Sequence, residues 1–263
     1  MYIACIALVL CFVPGSCYSA DQKHPNKAIL KKYTGYHLPY RLDADQLALL
    51  DSSKPVIIRG DEISDRKGGA SVIQDIDAPP HVCMKKLLEF EKYPSMVPSL
   101  KHLSVYRQET LEDGSEVTFA LFEAGVLAIK VGYFLRLVHR PDMNTLTWTL
   151  DYDRKSDFED SVGHWQVMAH PTKRQWSRVL YSTAAVLPKW LPKFAINFIV
   201  KSILVEATTW LKQESEMQAK SSILKGDNVY LDKTFVPVSA EYKEDENGAS
   251  YEPHWTEYNI NEL

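Results

Sequence analysis

Cysteine is scarce in this 263-residue chain, with four in all. Three of them, Cys5, Cys11 and Cys17, sit in or beside the first apolar run, so a chain shorn of that run keeps only Cys83. One thiol excludes an intramolecular disulfide and a CxxC metal site, and stability must then come from a packed core. No charge of one sign dominates either. The net charge is −4, and without a basic field there is no footprint for nucleic acid. There is no Asn-x-Ser/Thr sequon, no GxSxG, no HExxH, no Walker loop and no GxGxxG, so the usual short catalytic and nucleotide signatures are missing. The eight histidines never pair at metal-ligand spacing. No metal and no cofactor are expected, and no catalytic residue is assigned.

Long apolar runs are also rare. Ile3 to Val13 is one, about eleven residues, followed by Pro14, Gly15 and small residues. It is short for a membrane span, which needs roughly 20, and has the form of a signal peptide over 1–19. Cleavage is expected between Tyr18 and Asp21, with delivery to the secretory pathway. Secreted, endomembrane and plastid destinations all stay open. Residues 20–69 read as an N-terminal extension, basic at first through Lys23, Lys27, Lys31 and Lys32. Within it Asp43 to Leu50 suits a short helix and Lys54 to Arg59 an extended piece. Residues 219–263 form an acidic tail, read as loosely ordered.

Between these lies a regular pattern. Ser71 to Asp77 reads as a strand, stopped by Ala78-Pro79-Pro80, which opens a helix. Strands follow over His102 to Gln108, Glu116 to Ala124 and Leu127 to His139. In Thr145 to Tyr152, Leu146, Trp148, Leu150 and Tyr152 alternate with threonines and Asp151, the mark of a half-buried antiparallel strand. Trp165 and Val167 alternate with His164 and Gln166, and Val179, Tyr181, Thr183 and Ala185 share one face. From Pro192 the period changes. Ile196, Ile199, Ile203, Ala207 and Trp210 recur at helical spacing, with Asn197, Lys201, Thr208 and Lys212 on another face. The fold class is therefore α+β, with about seven strands curled around one long C-terminal helix, a helix-grip arrangement.

The residues themselves carry a resemblance. Asp75-Ile76-Asp77-Ala78-Pro79-Pro80, then Phe90-Glu91-Lys92-Tyr93-Pro94 and Met96-Val97-Pro98, are similar to the opening of the polyketide cyclase and lipid transport family of START-like domains. So are Gly163-His164-Trp165, Val179-Leu180-Tyr181-Ser182, Pro188, and the helix ending Ala207-Thr208-Thr209-Trp210-Leu211-Lys212. The resemblance covers about 70–218; Met84 stands where relatives often have Trp. The family includes coenzyme Q-binding proteins and aromatic polyketide cyclases. It implies a lipid, quinone or other hydrophobic small molecule held between sheet and helix, either for transport or, alternatively, for cyclase or dehydratase chemistry. A third reading is an interaction module with a filled core.

The residues expected around that ligand are Tyr133, Trp148, Leu150, Trp165, Tyr181, Ile199, Ile203 and Ala207. Arg136 and Arg178 are out of phase with the inward residues and are assigned to the outer face. The acidic run Asp151, Asp153, Asp157, Glu159 and Asp160 lacks the glycine and final glutamate of a calcium loop and reads as solvated. His139-Arg140-Pro141-Asp142 reads as a turn between strands. Leu187, Trp190, Leu191, Phe194 and Phe198, beside Lys189 and Lys193, suit transient membrane contact.

Overall fold

The computed structural model describes residues 18–38, 40–60, 66–126 and 129–224, apart from side chains at 59, 126, 193–195, 197–205, 207 and 223. Of the expected leader only Tyr18 and Ser19 lie within these, and of the expected tail only 219–224, which continue α4. The elements are α1 (Ala44–Asp51), β1 (Val56–Arg59), β2 (Lys67–Ile76), α2 (Pro80–Leu88), α3 (Tyr93–Met96), β3 (Leu100–Thr110), β4 (Glu116–Val126), β5 (Ile129–Arg140), β6 (Thr145–Leu150), β7 (Asp160–Ala169), β8 (Ser177–Val186) and α4 (Lys193–Leu224). Eight strands form one antiparallel sheet in the order β1-β2-β8-β7-β6-β5-β4-β3, curved and unclosed. The sequence implied about seven. The extra strand is β1, four residues paired with β2 from Val56↔Ile73 to Arg59↔Ala70, too short to show an alternation of its own. The fold class is otherwise the one expected.

Local chemistry sets the ends of the elements. Asp43 caps α1, accepting from Gln46 N at 2.8 Å while Gln46 Oε1 accepts from Asp43 N at 3.0 Å, a reciprocal capping box. Pro80 opens α2, where a missing N–H costs nothing. After β5, Pro141–Met143 forms a single 3-10 turn and Asn144 takes a left-handed conformation, φ 48°, before β6. His139-Arg140-Pro141-Asp142 is thus the strand-to-strand turn expected of it.

Strand periodicity divides the sheet cleanly. The concave face carries Val72, Ala120, Leu135, Leu146, Trp165 and Tyr181 into one continuous core with α2, Trp210 and Leu211. The convex face is covered too, and by the N-terminal extension. Leu30 packs on Val162 and Ala184; Leu50 and Val56 pack on Ile73 and Leu180, with Leu38, Tyr40 and Leu42 beside them. Backbone groups of the extension bond directly to outward side chains, Leu30 N to Asp160 Oδ2 at 2.8 Å and Leu38 N to Gln166 Oε1 at 2.6 Å. His24 is buried against the strand ends, with Nδ1 accepting from Ser156 N at 3.2 Å and Nε2 2.9 Å from Glu159 O. That pairing puts the proton on Nε2. Ser19 exchanges two backbone bonds with Lys155, of 2.8 and 2.9 Å. The Tyr18 ring lies on Gly132, where a side chain would collide with it, and its hydroxyl donates to Glu123.

The acidic run is corrected by this packing. Asp151, Asp157 and Asp160 are buried, because each carboxylate accepts bonds from its surroundings. Asp157 Oδ2 takes Gly132 N at 2.8 Å, Asp151 Oδ2 takes Tyr106 Oη at 2.7 Å, and Asp160 Oδ1 takes Tyr152 Oη at 2.9 Å. Buried carboxylates persist only when satisfied in this way. They clamp a junction of strands.

Arg178 faces outward, as expected, but it is buried. Its Nε and Nη2 meet Asp75 Oδ1 and Oδ2 at 2.7 and 2.8 Å, and His170 Nε2 lies 2.9 Å from Asp75 Oδ2. Burial raises the Asp75 carboxyl, but the Arg178 guanidinium and His170 outweigh it and hold it below the ordinary carboxylate value. The same strand end anchors α4, for Lys212 Nζ donates to Asp75 O at 2.9 Å. By spacing, Lys212 and Thr208 share a face of the helix apart from its apolar stripe. Yet Lys212 is half-buried and Thr208 fully buried, because α2 and β2 pack against that side.

Candidate ligand-binding cavity

The concave core is not filled. A cavity of about 210 Å³ lies between the sheet and the middle of α4. Alternation along β5 to β8 delivers its walls. Tyr133 from β5, Trp148 from β6, Trp165 from β7 and Tyr181 from β8 all line it, with Trp210 from α4 and Tyr93 from α3 closing one side. These rings brace one another. Trp165 and Tyr181 lie 4.4 Å apart between centroids, Trp148 and Tyr181 5.7 Å, Tyr133 and Phe158 4.9 Å, and Tyr93 and Trp210 5.0 Å. Such spacings are favourable for offset and edge contacts.

Four of the eight residues expected around a ligand therefore meet at one cavity. Leu150 does not join them. It is buried at the end of β6, opposite Leu135, and belongs to the packed core. Ile199, Ile203 and Ala207 have side chains outside the described residues. The lining also includes residues that periodicity did not single out, among them Phe122, Phe158, Ser161 and Glu206, together with Thr183 and Ala185 from the inward face of β8.

Glu206 is the unexpected one. It lines the cavity from α4, and its Oε2 is buried without a hydrogen-bond partner. A signal for it existed. Glu206 follows Ile203 by three residues and precedes Trp210 by four, which places it on the apolar stripe. The polar groups of the other described lining side chains are hydroxyls and the indole N–H groups of Trp148, Trp165 and Trp210. Tyr93 Oη is committed to Leu87 O at 2.6 Å, and Ser161 Oγ lies 3.4 Å from Trp148 Nε1. Burial pushes the Tyr181 phenol up to about 12, against a bond from Thr183, and raises Tyr133 as well. Both stay protonated at any ordinary pH. Arg136 and Arg178 do not reach the cavity; Arg136 lies over the outward Phe119 ring, 6.0 Å from its centroid.

Near the start of α4 the apolar cluster divides. Leu187 and Leu191 are buried in the core, whereas Lys189 is exposed and Trp190 half-buried. Leu187 and Leu191 are thus unavailable to a membrane. Lys193, Phe194 and Phe198 have side chains outside the described residues. No described helix is long and apolar enough to cross a membrane.

This architecture has counterparts among solved structures. A protein from Thermus thermophilus matches at 15% identity and TM-score 0.47, over 59% of this chain and 98% of its own. The Zhui aromatase/cyclase from Streptomyces matches at 10% identity and TM-score 0.46, over 60% and 96%. A START superfamily protein from Mycobacterium smegmatis matches at 14% identity and TM-score 0.43, over 58% and 97%. No protein-family model and no curated protein matches the chain. The helix-grip form is carried by the chain's own sheet order and closing helix.

Proposed function

We propose that this protein binds and carries a lipid, quinone or other hydrophobic small molecule in the cavity under α4. One observation carries the reading: an apolar pocket of about 210 Å³, open to one side, remains between sheet and helix where aromatic walls are otherwise in contact. An apolar guest losing roughly 300 Å² to the walls gains about 7 kcal/mol gross, much of it offset by association costs. Binding needs no catalytic group.

A second reading is a cyclase or dehydratase acting on a polyketide-like substrate in the same cavity. The Glu206 carboxylate favours it, because its buried Oε2 is an acceptor with no hydrogen-bond partner. Against it, none of the described lining residues is Lys, Arg or His, so an enolate formed there has only hydroxyl and indole N–H groups to meet it. Native mass spectrometry of the purified chain decides first, with a co-purified lipophilic molecule expected. A chain that carries nothing and takes up no Nile red has a closed core, and the carrier reading then fails.

Delivery to the secretory pathway, with a mature N-terminus between Tyr18 and Asp21, belongs to the same proposal. N-terminal sequencing from the native host tests it, and an intact Met1 rejects it. Transient membrane contact through Lys189 and Trp190, with Lys193 and Phe194, is supported by the exposed Lys189. Sedimentation with anionic vesicles tests that, and equal binding by Lys189→Glu, Lys193→Glu counts against it.

A further inference from the structure

We infer that the cavity selects ligands that present a hydrogen-bond donor, an alcohol or above all an amine, to Glu206, and that it discriminates against free carboxylates. The inference rests on the proposed binding function and specifies the polar end of the guest. Glu206 is the one charged side chain among the described lining residues, and its Oε2 is both buried and unpartnered. An ionised carboxylate is an acceptor only. A buried acceptor without a partner is costly, and the cost is relieved by a ligand that supplies an N–H or O–H. Of the hydroxyls that line the same cavity, that of Tyr93 already donates to Leu87 O.

The rest of the wall sharpens the selection. Trp210, one turn along α4, closes against Trp165 and Tyr93 and gives the ligand an apolar bed beside the carboxylate. A fatty acid would bring a second carboxylate beside Glu206, with no described basic side chain to receive it. A decyl amine would bring a cation, and decanol a neutral donor. Charge-assisted bonds are about twice as strong as neutral ones, so the three head groups should separate in a fixed order.

Displacement of Nile red by decylamine, decanol and decanoate tests this with one chain length and three heads. For the wild-type protein we expect decylamine to bind tightest and decanoate weakest, with about tenfold or more between them. Glu206→Gln keeps the shape and should bring decylamine to the level of decanol, and Glu206→Leu should remove the preference for either donor. Equal affinities for all three, a preference for decanoate, or a ranking unchanged in Glu206→Gln would overturn this inference while leaving the binding function intact. Failure of the wild type to take up Nile red at all would overturn both. The wild-type ranking stands as a test even where a variant folds poorly.

Discussion

The Trp148 indole lies flat across Gly163, its register partner on the neighbouring strand, in the space where any side chain at that position would have to go. The glycine therefore sets how deep the indole sits, and so the height of the cavity floor. Gly163→Ala should push the ring inward, reduce Nile red uptake, and destabilise the fold by roughly 1–3 kcal/mol through overpacking. Denaturant unfolding beside the uptake assay measures both. An unchanged midpoint with full uptake would mean that the ring has another resting place.

Ala185 offers the opposite experiment, because it lines the cavity on an inward position of β8. Ala185→Phe should occupy the void, abolish uptake, and leave the melting temperature level or raised. If the space around Ala185 were already packed, the same change would cost about 1–3 kcal/mol. The two outcomes have opposite signs.

His164 predicts an acid sensitivity. It is fully buried on the convex face beneath Tyr33, with ring centroids 5.5 Å apart, and Nδ1 has no partner. Burial, against a weak bond to Gln166, lowers it from 6.5 to about 4. The unfolded chain therefore takes up a proton near pH 6.5 that the folded chain refuses until about pH 4. Its contribution is complete above 6.5 and is lost as the pH falls through that window, by about 2 kcal/mol at pH 5. Stability should fall correspondingly between pH 7 and 5, and His164→Gln should flatten the slope. A slope equal in both proteins would place the sensitivity elsewhere.

Leu30 tests whether the extension belongs to the cooperative unit. It is 2% exposed and packs on Val162 and Ala184, so Leu30→Ala should cost about 2–4 kcal/mol and still give a single transition. A loss under about 0.5 kcal/mol would show the extension to be a loose cover.

Much of this was legible in residue order. The alternations of Trp148, Trp165 and Tyr181 delivered three cavity walls, because a period of two assigns every inward residue at once. What stayed hidden depended on partners far along the chain. Asp160 and Asp157 look like solvent-facing acids until Leu30 N and Gly132 N are seen to occupy them. The convex cover was unreadable for the same reason, since Leu38 and Gln166 are 128 positions apart. Glu206 was readable from its spacing to Ile203 and Trp210. A charged residue on an apolar stripe is easily assigned to solvent, and here it marks the cavity.

The strand order has a consequence in time. Strand β2 pairs along its whole length with β8, from Lys67↔Val186 to Ile76↔Ser177, while β3 to β8 follow as successive neighbours. On a ribosome the meander from β3 onward can form as it emerges, but β2 must wait for the last strand, and β1 waits with it. Loop closure over such separations is slow. The segment from Leu30 to Leu42 waits as well, since most of its partners, among them Thr145, Asp160, Gln166 and Ala184, lie on β6, β7 and β8. The part of the chain made first is the last to find its place, and until then the outer apolar face of the sheet is open to chaperones or to other nascent copies.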